Sequence, residues 1–431
     1  MVEFAASAPL PRFQGRFDRA IVDPAGGARF LIVDIEPHKQ ESARVAPLDL
    51  VLVIDVSGSM AGPKLDAVKQ AAALLTERLG ADDRLSLVSF SSDVHMHFTA
   101  QSMGAAGGAL ARSEIRGLHT LGSTNLSAGW LTGVALLEKP ADPARRRALV
   151  VLSDGQANQG LVDPRELAEI ARRSGAGGIP TTCIGVGNDY STVQLGAIAE
   201  NSGGRFHDAE EPQEILEVML GELVELGSIA LENAVLELEL PEGFRAVPIW
   251  TSAGEHAGLR MSCPIGGVRG GAKRTLVLCV AAPARAEGTQ ARFALHLVWT
   301  DPRSATRRVM SAEPVVLRYG DASLCRAGDA DVELVTRFRS ASFGRRVADL
   351  NEEGRFQEIE QVLGVEVHEL LSYAESVPAA RVLARAIRGF VADGQSPMDS
   401  RARKNAHIAG YKTMKQEQEL RQNRRDRPEG E

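Results

Sequence analysis

The stretch LDLVLVIDVSGSM (48–60) decides the fold. LDLVLVID (48–55) is an apolar run, rich in Leu and Val, that ends at a polar loop. A strand covered by helices on both faces reads this way, because neither face needs polar side chains. The following stretch, GPKLDAVKQAAALLTERLG (62–80), changes period. Leu65, Val68, Ala72, Leu75 and Leu79 recur at helical spacing, and Gly80 supplies a stop.

The alternation continues outward from this unit. RLSLVSFSS (84–92) is the next strand, and VHMHFTA (94–100) a short partner across a tight turn. NLSAGWLTGVALLEK (125–139) is helical, RRALVVLSDG (146–155) a buried strand, and PRELAEIARRSGAGG (164–178) a helix ending in glycines. IPTTCIGVG (179–187) and GRFHDAE (204–210) read as strands. STVQLGAIAENSGG (191–204) and PQEILEVMLGELVELGSIA (212–230) read as helices. Strands alternating with helices predict an α/β domain over 46–226, with a doubly wound, mostly parallel sheet covered on both faces.

Near residue 230 the period becomes two. AVLELELPEGFRAVPIW (234–250), KRTLVLCVAAP (273–283), ARFALHLVWTD (291–301) and RRVMSAEPVVLRY (307–319) predict an antiparallel β-sandwich over 227–320. In the N-terminal segment 1–45, ARFLIVDIEP (28–37) is a strand without a nearby partner. It can complete that sandwich, which makes the α/β domain an insertion in or beside it. Residues 321–394 return to helical spacing and predict a small bundle, in which NEEGRFQEIEQVL resembles the turn of a helical hairpin. The segment 395–431 reads as a polar, partly disordered tail, with a frayed helix around HIAGYKTMK and Tyr411 and Met414 as anchors to the bundle or a partner.

Composition bounds the function. The 431 residues are 44% hydrophobic and 24% charged, which is globular, and the net charge of −7 argues against a general nucleic-acid or membrane-surface role. The four cysteines, Cys183, Cys263, Cys279 and Cys325, form no CxxC pair and read as small core residues, not a disulfide framework. No basic start followed by an apolar stretch is visible at the N-terminus, and no apolar run is long enough to span a bilayer. The expected compartment is the cytoplasm.

The chemistry concentrates where the buried strands end. Asp55, Ser57 and Ser59 form a DxSxS sequence at the C-terminal end of the first strand of the α/β domain. Thr124 lies in the Gly-flanked loop LGSTNLSAG (121–129), and Asp154 follows another buried strand in LSDG (152–155). Open α/β sheets place their ligand crevices at such strand ends. The side chains are all oxygen donors, which suits a hard cation: Mg²⁺ by preference, with Mn²⁺ or Ca²⁺ as alternatives. No nearby His–Cys combination points to zinc.

These residues resemble the metal-ion-dependent adhesion site of von Willebrand factor type A domains, over about 46–226. The resemblance implies that Ser57, Ser59 and Thr124 ligate the metal directly, while Asp55 and Asp154 hold ligand waters and neutralise charge. It also implies an open coordination position, filled by a glutamate or aspartate of a partner protein. Gly58, Met60, Gly122, Ser123 and Asn125 would shape the rim around it. In layout, the flanking β-rich and helical segments resemble larger intracellular and bacterial members and the inter-alpha-trypsin inhibitor heavy chains. The expectation is a metal-dependent protein-binding scaffold or assembly factor, not an enzyme.

Other readings compete. The Ser, Thr and Asp residues of the site are also ordinary cap and turn residues. A regulatory subunit of an AAA+ ATPase is one rival function; the ATPase would be a separate protein, because this chain has no P-loop. A metal-assisted hydrolase is another, but no general base stands out at the crevice. Ser57 lacks the GxSxG setting of a nucleophile. His95 and His97 read as half-exposed strand residues before they read as a metal pair. Asp82 and Asp83 read as a turn, GGVRGGAK (266–273) and SGAGG (174–178) as turns or helix ends, and the basic residues of the tail, Arg401 to Arg427, as a solvated face.

Overall fold

A computed structural model describes residues 9–39, 46–138, 142, 145–155, 157–187, 189–249 and 255–415. The N-terminal part contributes three strands, β1 (Arg12–Phe17), β2 (Ile21–Val22) and β3 (Gly27–Glu36). The α/β domain follows as β4 (Leu48–Asp55), a 3₁₀ turn (Gly58–Met60), α1 (Pro63–Arg78), β5 (Arg84–Phe90), β6 (Val94–Ser102), α2 (Ala105–Gly117), α3 (Leu126–Glu138), β7 (Arg146–Ser153), α4 (Pro164–Ala176), β8 (Thr181–Val186), α5 (Thr192–Ser202), β9 (Phe206–Ala209) and α6 (Pro212–Ser228). Eight strands come next: β10 (Ile229–Glu239), β11 (Arg245–Pro248), β12 (Glu255–Ala257), β13 (Arg260–Arg269), β14 (Arg274–Ala282), β15 (Gln290–Asp301), β16 (Thr306–Ser311) and β17 (Val315–Tyr319). A 3₁₀ turn (Ala322–Leu324) leads into α7 (Asp329–Glu352), α8 (Phe356–Ala374), α9 (Pro378–Asp393) and α10 (Ser400–Lys415).

The sheet of the α/β domain has the order β6-β5-β4-β7-β8-β9. All neighbours are parallel except β5 and β6. Alternation along β4 explains its apolar run. Leu50, Leu52 and Ile54 pack on one face against α1, α2 and α6, whereas Val51 and Val53 pack on the other against α3, α4 and α5. Two glycines bring α3 close to the sheet: a Cβ at Gly129 would lie 2.6 Å from the Phe90 ring, and one at Gly133 would lie 2.7 Å from Leu149. The chain leaves β4 towards β5 on one side and β7 towards β8 on the other. The crevice between the C-terminal ends of β4 and β7 is therefore the topological switch point.

The sandwich is built from both sides of this domain. One sheet has the order β1-β3-β14-β11, and the other β12-β13-β10-β15-β17-β2 with β16 beside β15. The orphan strand of the sequence, β3, pairs antiparallel with β14, with Leu276 opposite Val33. The α/β domain is thus an insertion into the sandwich. Phe17, Phe244 and Phe293 fill the space between the sheets, with edge contacts at 5.1 Å. The run FLIV (30–33) is apolar on successive residues because β3 is covered twice. Leu31, Val33 and Ile35 face the sandwich core, while Phe30 and Ile32 meet Val335 and Phe338 of α7.

Part of the segment expected to be a polar tail with a frayed helix is a docked helix. Residues 400–415 form α10, which docks between α7 and the α/β domain; residues beyond 415 lie outside those described. Ile408 and Tyr411 join the apolar cluster of the α/β domain. The Tyr411 hydroxyl accepts the Phe206 N–H at 2.7 Å, so it covers a backbone donor on the edge strand β9. Tyr411 thus anchors α10 to the α/β domain, whereas the Met414 side chain lies outside those described. Among the described residues no helix is long and apolar enough to cross a membrane.

Candidate metal centre

The structure brings the five oxygen-bearing residues into one crevice. β4 delivers Asp55 at its C-terminal end, and the neighbouring β7 delivers Asp154 just past its end. Both side chains are fully buried. The Asp55 carboxylate accepts the Ser57 N–H at 2.8 Å and the Ser153 hydroxyl at 2.5 Å. The loop after β4 turns tightly, with the Met60 N–H donating to the Ser57 carbonyl at 3.0 Å. That turn sets Ser57 Oγ 3.1 Å from Ser59 Oγ, and Ser59 Oγ donates to Asp154 Oδ1 at 2.7 Å.

Thr124 enters from the loop before α3. That loop is tied to the first by the Gly58 N–H donating to the Gly122 carbonyl at 3.2 Å and the Leu121 N–H donating to the Val56 carbonyl at 2.6 Å. Gly122 has φ +56° and packs on Ser92, where a side chain would collide. Gly155 marks how the donors converge: a Cβ there would lie 3.2 Å from Thr124 Oγ1 and 3.8 Å from Ser59 Oγ.

The rim departs from the sequence expectation at two positions. Met60 is fully buried in the core beneath the turn and presents nothing to a partner, because its thioether is more stable packed among Leu65-type neighbours than in water. Asn125 turns its side-chain oxygen to its own helix, accepting the Ala128 N–H at 3.1 Å as a cap of α3. Gly58, Gly122 and Ser123 remain at the surface or partly so, and Ser123 Oγ donates to Asn158 Oδ1 at 2.9 Å.

Three participants escaped the sequence reading. Ser153, Lys64 and Asn158 carry no signature of their own. Ser153 is legible in retrospect as the strand residue opposite Asp55, and Lys64 as a cation in the first turn of α1. Its ammonium lies 2.5 Å from Asp154 Oδ2. The His95 and His97 rings contact each other edge-on at 4.5 Å, and His97 Nε2 lies 2.8 Å from Ser89 Oγ, within the sheet's own packing.

The donor set fits a hard divalent cation on two counts. Oxygens at right angles on an ion of Mg²⁺ size stand about 2.9 Å apart. The Ser57–Ser59 and Ser59–Asp154 separations of 3.1 and 2.7 Å bracket that value. Charge is the second count. Burial pushes the Asp55 carboxyl above the usual carboxylate range, against the Ser153 and Ser57 hydrogen bonds that favour its charged form, and the Asp154 charge adds to the push. Two buried carboxylates side by side face one ammonium, so the site holds more negative than positive charge.

Residues 49–220 match the family model for the von Willebrand factor type A domain. Fold and family model together define this part of the chain as a von Willebrand factor type A domain. The chain is similar to inter-alpha-trypsin inhibitor heavy chain H3 of Mus musculus, at 29% identity over 206 residues, which cover 46% of this chain and 23% of that one. The Homo sapiens heavy chain H3 is 32% identical over 171 residues, covering 37% and 19%. The matched region is thus less than a quarter of the length of these relatives. Among solved structures, a von Willebrand factor type A protein from Catenulispora acidiphila superposes with a TM-score of 0.66 at 16% identity, covering 85% of this chain and 89% of that one. The ArnB paralog VWA2 from Sulfolobus acidocaldarius superposes at 0.61 and 17% identity, over 94% of this chain and 98% of that one. Both superpositions extend well beyond the residues 49–220 matched by the family model.

Proposed function

We propose that the protein binds a partner protein through a divalent cation, Mg²⁺ by preference, held by Ser57, Ser59, Thr124, Asp55 and Asp154. The observation that carries this reading is the convergence of three hydroxyls and two buried carboxylates at the switch point of the sheet. The domain is a metal-dependent protein-interaction module in related proteins. A bound cation supplies a Lewis-acidic position for an anionic group. The residues of this chain do the rest. Ser57 and Ser59 set the donor spacing, Ser153 fixes the Asp55 carboxylate, and the Gly58–Gly122 contact holds the two loops together. Neutral hydroxyls leave part of the cation's charge uncompensated, which favours an aspartate or glutamate of the partner.

We read the site as non-catalytic. Both carboxylates are engaged, Asp55 by Ser57 and Ser153 and Asp154 by Ser59 and Lys64, so neither is placed as a general base. The test is capture of partners from a lysate of the source cell, with Mg²⁺ or with EDTA, by wild type and by Asp55→Ala/Ser57→Ala. Partners retained only by wild type in Mg²⁺ support the reading, and an ATPase among them would point to the regulatory-subunit alternative. A partner set that ignores both chelation and substitution overturns it.

A further inference from the structure

Lys64 stands where a cation is least expected. It occupies the first turn of α1, directly after Pro63, where the unpaired N–H groups give the helix end a partial positive charge that disfavours ammonium groups. Its side chain nevertheless turns into the crevice, with Nζ 2.5 Å from Asp154 Oδ2. The other oxygen of the same carboxylate accepts the Ser59 hydroxyl at 2.7 Å. Asp154 therefore faces the candidate metal position with one oxygen and a lysine with the other.

The lysine is also held from behind. Gly187, at the end of β8, has φ +74°, and a Cβ there would lie 3.1 Å from Lys64 Cε and 3.4 Å from Nζ. The bare Gly187 backbone is thus the floor on which the ammonium rests. The Gly187 carbonyl in turn accepts a hydrogen bond from Lys404 Nζ of α10 at 2.8 Å, which fixes the floor to the docked C-terminal helix. The ammonium is placed by packing as well as by charge.

We propose that Lys64 is a built-in counter-cation of the metal centre, which loosens the hold on a divalent ion and leaves the loaded site with a net positive charge that calls for an anionic partner group. The inference rests on the metal-site reading given above. With Asp55 and Asp154 ionised and Lys64 charged, the side chains sum to −1, against −2 without the lysine. A divalent ion brings the loaded site to +1 with Lys64 and to zero without it. Repulsion between ammonium and ion weakens metal binding in proportion to their proximity and to the low local dielectric. The same excess charge strengthens the bond to a partner carboxylate. Lys64 is in this sense a positioning and tuning residue, not a ligand.

The test is calorimetric titration of the full chain with Mn²⁺ alone, for wild type, Lys64→Met, Lys64→Gln and Asp154→Asn, with thermal unfolding to confirm folding. Methionine keeps the stem against Gly187 while removing the charge, and glutamine controls for the change in polarity. The expected result is tighter Mn²⁺ binding in both Lys64 variants, by on the order of tenfold or more, and weaker binding in Asp154→Asn. Equal affinity in wild type and the Lys64 variants overturns the proposal but leaves the metal site standing. Weaker binding in both folded Lys64 variants overturns it too, because the lysine would then organise the site. If neither wild type nor the variants bind Mn²⁺, the metal-site reading itself fails and the proposal with it.

Discussion

Asp55 sets the electrostatic cost of the crevice. Its carboxylate is fully buried beside a second one, and among the described residues its hydrogen bonds come from Ser57 and Ser153. Such a group costs stability when it is charged and repays that cost when a cation binds. Asp55→Asn removes the charge, keeps an acceptor for the Ser57 N–H, and offers an amide to Ser153. Without metal, the variant is expected to melt at or above the wild-type temperature, by roughly 2–4 °C for each kcal/mol relieved. The rise in melting temperature that Mg²⁺ gives wild type should vanish in it. Differential scanning calorimetry with Mg²⁺ and with EDTA checks both parts; a variant that melts well below wild type in EDTA, or keeps the Mg²⁺ shift, contradicts the argument. Ser153→Ala is the milder neighbour. It strips one hydrogen bond from a buried carboxylate and should cost about 1–3 kcal/mol in chemical denaturation.

At the scale of elements, α3 carries Thr124 on the loop before it, and that loop is only as well placed as the helix. Gly129 lets α3 lie on Phe90, with a would-be Cβ at 2.6 Å. Gly129→Ala must lift the helix or push the ring, at a cost of about 1–3 kcal/mol. Metal affinity should fall along with stability, because Thr124 moves with the helix; a variant that loses stability but keeps wild-type Mn²⁺ affinity refutes that coupling. NLSAGWLTGVALLEK reads as a helix because its apolar residues recur at the right spacing, and the glycines do not hide them. The AAGGALARSEIRG segment of α2 escapes notice because alanine and glycine give little hydrophobic contrast. Strand β13 contains Pro264, Gly266 and Gly267, which imitate a turn, although the segment pairs with β10 along its length. The DxSxS loop was legible because strand, stop and oxygen donors are contiguous there. Lys64 and Ser153 were not, because their meaning lies in contacts across 90 and 98 positions.

On the scale of the whole molecule, the inserted domain is held at both ends. The sandwich grips its entry and exit, and α10 returns from the bundle to lie on its edge strand. The buried junction between α10 and α7 contains His407, with Nε2 3.4 Å from Asp349. Burial, with the Arg345 and Arg403 charges adding to it, holds the imidazole down to about 3. Between that value and about 6.5, the unfolded chain carries a proton on this group that the folded chain does not, so its contribution to stability is lost as pH falls below about 6.5. Asp349 runs the other way: burial raises its carboxyl to about 6, so the folded chain takes up that proton first. Comparing His407→Gln with wild type at each pH cancels the titrating groups that do not touch the histidine. In urea unfolding, the stability difference between variant and wild type should move in favour of the variant by about 2 kcal/mol from pH 7.5 to pH 5. A difference independent of pH contradicts the assignment.

The domain, its sandwich frame and its C-terminal helix all serve to hold one crevice between β4 and β7, and the central claim is that a divalent cation sits there. The most direct measurement is a crystal structure of the full chain soaked in Mn²⁺, read by its anomalous signal. The account predicts a single strong peak within bonding distance of the Ser57, Ser59 and Thr124 hydroxyls, with Asp55 and Asp154 around it. A peak on other side chains, or an occupied crystal elsewhere with none in this crevice, contradicts it.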